Sequence, residues 1–122
     1  MDNQKASRKE LIDAYKLMKV NVGVYQIKNT KNDKIFVDSC NNLKNRWMTI
    51  KMMLNDKRHP NRLLQTDWNE LGEAAFAYEV LEEKEIEPDL STLEKKNLLT
   101  DMRAKWLEEL QPYENRGYNK RK

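Results

Sequence analysis

Gly23-Val24-Tyr25-Gln26-Ile27-Lys28-Asn29-Thr30, followed by Lys34-Ile35-Phe36-Val37-Asp38-Ser39, is the stretch that decides the fold. Val22, Val24, Tyr25 and Ile27 are β-branched or aromatic, the residue types that suit a pleated, half-buried surface. Asn29-Thr30-Lys31-Asn32-Asp33 reads as a turn, because Asn and Asp tolerate the left-handed backbone that a reversal needs. Lys34 to Val37 returns as a second strand, so the two segments form a hairpin.

Upstream, Ser7-Arg8-Lys9-Glu10 is a capping box, a hydroxyl followed three residues later by a carboxylate. It opens a helix on which Leu11, Tyr15 and Met18 recur at helical spacing. Downstream, Leu43, Trp47, Ile50 and Leu54 fall on one helical face. Pro60 marks the start of a further helix and Gly72 its end, with Leu64, Trp68 and Leu71 on a shared face. Phe76, Tyr78 and Val80 alternate with Ala77 and Glu79, which marks a third strand. Glu82 to Asp89 reads as an acidic connector that Pro88 ends, and its carboxylates have no partner ligands for a metal. Ser91-Thr92-Leu93-Glu94 is a second capping box; Leu99, Met102, Trp106 and Leu110 continue its helix to Gln111-Pro112. The tail from Arg116 to Lys122 is basic and expected to be mobile. The fold class is therefore α/β in the α+β sense: a small three-stranded antiparallel sheet flanked by helices. Residues 1–21 form a helical extension, 22–119 the domain and 120–122 a basic tail.

The 122 residues suit one domain. A chain of this size buries roughly 65% of its unfolded surface, enough to fold without a disulfide or a structural metal. Cys40 is the only cysteine, which excludes an internal disulfide or a cysteine cluster for zinc, and it is expected to be inert. No run of 18 apolar residues occurs and the first residues are polar, so neither a membrane span nor a signal peptide is expected, and the cytoplasm is the expected location. Met48, Met52 and Met53 are read as packing rather than as a peptide-binding groove. The net charge of +3 hides an asymmetry. Residues 1–62 carry 14 Lys/Arg against 6 Asp/Glu, and residues 63–122 carry 9 against 14. A basic half attracts phosphate through Coulomb attraction and counterion release, while the plainer reading is an ordinary solvated surface.

The two strand segments resemble the paired strands that name the GIY-YIG nuclease superfamily. Further matches follow in order: Leu43-Lys44-Asn45-Arg46-Trp47, then Leu64-Gln65 through Trp68-Asn69 and Leu71-Gly72, then Trp106-Leu107 and Gly117-Tyr118-Asn119. The resemblance covers residues 22–119, and spacing carries it, with 11 residues from Tyr25 to Phe36 and 10 more to Arg46. It is similar in particular to the catalytic domain of phage homing endonucleases. The implied chemistry is metal-assisted phosphodiester hydrolysis. In it one tyrosine helps activate the attacking water, a second hydroxyl assists, and an arginine steadies the phosphate. A glutamate on the last helix holds a divalent cation, and an asparagine lies nearby.

Carried over residue by residue, Tyr25 matches the first tyrosine, although a core aromatic on a strand is the plainer reading. Phe36 stands where the second tyrosine belongs and lacks its hydroxyl, and Asp38 replaces a family glycine. A carboxylate there either repels phosphate or pairs with a cation. Arg46 matches the family arginine and sits at the rim of its helix's apolar stripe. His59 matches a histidine of the phage enzymes, or is a turn residue beside Pro60; a further expected histidine is replaced by Ile50. Arg103, three residues before Trp106, falls where the metal-binding glutamate belongs. An arginine on that side of the helix needs an anion, either Asp38 or a bound phosphate. Asn119 matches the tail asparagine, one residue further from Trp106 than in the phage pattern.

Three functions follow. The first is a nuclease fold that binds DNA or RNA through Lys28, Lys31, Lys34, Arg46, Arg58 and Arg62, with hydrolysis impaired or lost and no metal or other cofactor. The second is an active endonuclease with a rearranged site, where Asp38 holds magnesium or manganese. The third is a protein-interaction domain on the same fold. The charge asymmetry and Arg46 favour the first. No membrane partner is expected, and the sequence leaves the oligomeric state open.

Overall fold

The structure is a computed structural model that describes residues 20–87 and 89–120. The helix expected over the first residues, Pro88 and the last two tail residues lie outside the described residues.

Three strands form one antiparallel sheet in the order β2-β1-β3: β1 is Val20–Asn29, β2 is Ile35–Cys40 and β3 is Phe76–Ile86. The hairpin forms as the sequence predicts, with Ile27 opposite Phe36 and Tyr25 opposite Asp38. Its turn is held by Asn29, whose side chain accepts from the Lys31 amide, and by Asp33 at positive φ. Gly23 is required by close approach, since a Cβ there would lie 2.0 Å from the Glu82 carbonyl oxygen.

Helices cover both faces. Helix α1 is Arg46–Asn55, α2 is Arg62–Leu71 and α3 is Thr92–Leu110. Tyr25, Ile27, Phe36 and Cys40 pack on one face with Ile50 and Leu54 of α1 and Leu64 and Trp68 of α2. Val24 and Val37 pack on the other with Met102, Leu98 and Trp106 of α3. The Ser91 hydroxyl caps α3 by accepting from the Glu94 amide, as its capping box predicts. Asn61, one residue after Pro60, caps α2 in the same way, and Gly72 ends it at φ 84°.

Four expectations need correction. Helix α1 begins at Arg46 rather than at Leu43, because the Asn42 side chain accepts from the Lys44 amide and Asn45 turns into the left-handed region. The acidic segment is not a connector, since Glu82–Ile86 continue β3. Edge strands carry charges well, so Glu83 and Glu85 sit exposed there while the Glu82 carboxylate meets Trp106 and Lys105 of α3. Two of the three methionines read as packing are not, for Met48 and Met52 are 60% and 59% exposed, while Met53 is half-buried. The tail up to Lys120 is not loose. Gly117 bridges to Ile35, Tyr118 is 1% exposed, and Asn119 is buried. Among the described residues, no helix is long and apolar enough to cross a membrane.

Candidate active-site cleft

The first tyrosine of the pattern sits on β1, where one face of the sheet meets α1. Tyr25 is buried, and its ring lies 5.5 Å from that of Tyr78 on β3, which stacks on Trp47 of α1 at 5.3 Å. Burial pushes the Tyr25 phenol far above its ordinary pKa, the Asp38 carboxylate adds to this, and Arg46 opposes it. The phenol therefore stays protonated at neutral pH, able to donate a hydrogen bond but not to take up a proton as a base.

Arg46 is the first residue of α1, directly after the left-handed Asn45. It acts electrostatically on Tyr25, Asp38, Cys40 and Tyr78. Its Nε is buried without a hydrogen-bond partner, as is the Tyr78 hydroxyl. Buried polar atoms are nearly always paired, so two orphans around one tyrosine mark a place built to receive polar groups.

Asp38 lies opposite Tyr25 on the edge strand β2. Arg103 reaches it from α3, with its Nε 3.3 Å from the Asp38 Oδ1. The N–H is not aimed along this contact, so the Nε remains without a hydrogen bond, and the pair is an ionic contact between half-exposed groups. Burial raises the Asp38 pKa, and it outweighs the Ser39 amide, Arg103 and Arg46, which all lower it.

The structure thus gathers Tyr25, Asp38, Arg46 and Arg103. The other matched positions are arranged otherwise. Phe36 is a buried core ring, edge-on to His59 at 5.4 Å. His59 Nδ1 accepts from the Asn61 amide, and its own amide donates to Gln65, so the imidazole closes the turn into α2. Burial lowers its pKa, and the neutral ring carries its proton on Nε2. Asn119 uses both amide atoms on Val37, accepting from its N–H at 2.9 Å and donating to its carbonyl at 2.7 Å. Of the expected phosphate contacts, Lys28 and Arg58 are already paired with Asp33 and Asp56, and Lys34 lies over the Tyr118 ring. Lys31 and Arg62 are exposed.

Tyr78 and Cys40 belong to this cluster and were not singled out for it from sequence. Tyr78 enters through the register, which sets it opposite Ile27 and beside the Tyr25 ring. Only the strand pairing carries that signal. A divalent cation does not suit this donor set. A guanidinium stands beside the one carboxylate, and no group of three His, Cys, Asp or Glu able to hold a metal occurs among the described residues.

No family model matches the chain. Intron-associated endonuclease 1 of Enterobacteria phage T4 is 36% identical over 97 residues, which are 80% of this chain and 36% of that protein. The chain thus spans about a third of that relative's length. The solved catalytic domain of homing endonuclease I-TevI superposes with a TM-score of 0.65 at 31% identity, covering 83% of this chain and 99% of that one. A point mutant of the same catalytic domain superposes with a TM-score of 0.65 at 32% identity, covering 82% and 93%.

Proposed function

The chain belongs to the GIY-YIG nuclease family, and from that membership we propose that it binds DNA or RNA and hydrolyses phosphodiesters poorly or not at all. The observation that carries this reading is the contact between Arg103 and Asp38. The family pattern puts a metal-binding glutamate where Arg103 stands, and a guanidinium repels the cation that glutamate would hold. Loss of metal stabilisation removes several kcal/mol of help to developing charge, hence orders of magnitude in rate.

Two further features support the reading. Phe36 brings no second hydroxyl, and Asp38 sets a negative charge where a phosphate approaches. Binding, in contrast, keeps support from Arg46, whose Nε has no partner within the protein.

Two assays on the purified chain test the proposal. Affinity for single-stranded, duplex and branched DNA should fall steeply with salt. Plasmid and branched DNA should show no magnesium- or manganese-dependent nicking. Combining Phe36→Tyr, Asp38→Gly and Arg103→Glu should create weak nicking that Arg46→Ala abolishes. Robust cleavage by the unmodified chain, lost on Asp38→Asn, would overturn the proposal in favour of an enzyme with a rearranged site. Absence of binding to any nucleic acid at low salt would leave an interaction domain on this fold.

A further inference from the structure

Counting charge by halves places all the basic character in the first 62 residues, but a second cationic surface lies in the acidic half. A cleft of about 550 Å³ runs between the end of β2 and the first turns of α3, lined by Asp38, Ser39, Thr92, Lys95, Lys96 and Arg103. Three cations face one carboxylate there. Two acidic residues of the same helix turn away: at about 100° per residue, Glu94 and Asp101 lie roughly opposite Arg103.

These cations have little to satisfy them inside the protein. Neither Lys95 nor Lys96 has an ion-pair partner among the described residues. Arg103 makes one off-axis contact with Asp38, and its Nε is buried without a hydrogen bond. A guanidinium with free donors in a fixed fork suits phosphate oxygens. The hydroxyls of Ser39 and Thr92 and the capped N-terminus of α3 add donors at the same mouth.

We propose that this cleft is a nucleic-acid backbone site, in which Lys95, Lys96 and Arg103 hold phosphates along one strand without a metal ion. The proposal rests on the nucleic-acid reading above and deepens it by naming where the strand lies. Spacing favours a strand over a free anion. Lys96 and Arg103 are seven residues apart, about 10 Å along the helix axis. That span takes in about three steps of a duplex strand, whose phosphates follow each other at about 3.4 Å of rise. The cleft also continues along α3, because a second one of about 500 Å³ shares Thr100 and Arg103 and reaches Lys120, with Glu108 as the acidic residue in its lining.

The test uses the full chain in EDTA with fluorescent oligonucleotides, single-stranded and duplex, titrated over a range of sodium chloride. Lys95→Gln with Lys96→Gln should weaken binding about tenfold at low salt and flatten the log–log salt slope by about 1.4 on single strands or 1.8 on duplex. Lys105→Gln is the control, since it removes one positive charge, half the change of the double variant, from the same helix, where Lys105 is already paired with Glu82 at 2.6 Å. It should leave the slope unchanged. An unchanged slope in the double variant, with the unmodified chain still binding, overturns this site and leaves the proposed function standing. An equal loss per charge removed in the Lys105→Gln control overturns it too, because general charge then explains the effect. Displacement of the oligonucleotide by inorganic phosphate at matched phosphate concentration assigns the cleft to a small anion instead. Failure of the unmodified chain to bind at all overturns both readings.

Discussion

The tail lock and the cleft both rest polar groups against the same edge strand, and they treat those groups in opposite ways. At the lock, every polar atom has an assigned partner. The Tyr118 hydroxyl donates to Asp67 at 2.6 Å and accepts from Asn29 at 3.0 Å, Asn61 donates to the Tyr118 carbonyl, and Asn119 occupies both main-chain groups of Val37. Burial and the neighbouring Asp67 push the Tyr118 phenol up to about 12. At the cleft, Arg46 Nε, Tyr78 Oη and Arg103 Nε are buried with no hydrogen bond. A satisfied network fixes a structure, while an unsatisfied one is stable only at a cost that something outside the chain can offset. The lock is closed on itself, whereas the cleft leaves these three polar atoms unpaired.

That contrast breaks most easily at Asn119. Asn119→Ala strands a buried N–H and a buried carbonyl on β2, which should cost about 2–4 kcal/mol. Thermal unfolding should then occur roughly 10 °C lower. Tyr118→Phe removes one hydroxyl that serves two partners and should cost about 1–2 kcal/mol by urea denaturation. If either variant is as stable as the parent, the lock is not a lock.

The cleft should respond weakly to the same measurement. Arg46→Met removes an orphaned donor, so stability should stay within about 1 kcal/mol or rise. Nucleic-acid affinity should fall regardless. A double-mutant cycle of Asp38→Asn and Arg103→Met should give a coupling above noise but below about 1 kcal/mol, because the two side chains remain 40% and 36% exposed. A stability loss at Arg46 comparable with that at Asn119 would erase the contrast.

The smallest effect belongs to His59. Its folded pKa lies below the ordinary 6.5, so below that pH the unfolded chain takes up a proton that the folded chain refuses. The stability that the neutral ring contributes is complete above 6.5 and is lost as pH falls towards the lowered folded value. His59→Asn should flatten this part of the stability curve by a few tenths of a kcal/mol.

The hairpin, the caps at Ser91 and Gly72 and the stripe of Ile50 and Leu54 were legible because their signals are local. The lock was not, since Asn119 and Val37 are 82 positions apart and no short-range pattern joins them. The Asp38–Arg103 contact was legible from opposite charges at two positions that depart from one family pattern. Tyr78 escaped because its place depends on which residue of β1 it faces. The second half of β3 escaped because an exposed edge rich in glutamate has the composition of a loop.

One irregularity in the pairing of that strand has consequences of its own. Between Val24 and Tyr25 the pairing with β3 slips, so that Tyr25 faces Val80, Val24 faces Glu82, and Leu81 is left over. Such an extra residue resets the alternation of a strand. Before it, Tyr78 belongs to the face of α1 and α2; after it, Leu81 and Glu82 belong to the face of α3. Leu81 thus works as a change of phase in a two-beat rhythm. A strand that kept Leu81 but paired without the slip would put the second half of β3 out of step, turning Glu82 away from Trp106 and towards the aromatic side. Deleting Leu81 should instead remove the slip and the extra residue together, leaving Glu82 opposite Val24 and in reach of Trp106 while α3 loses only the packing of one leucine.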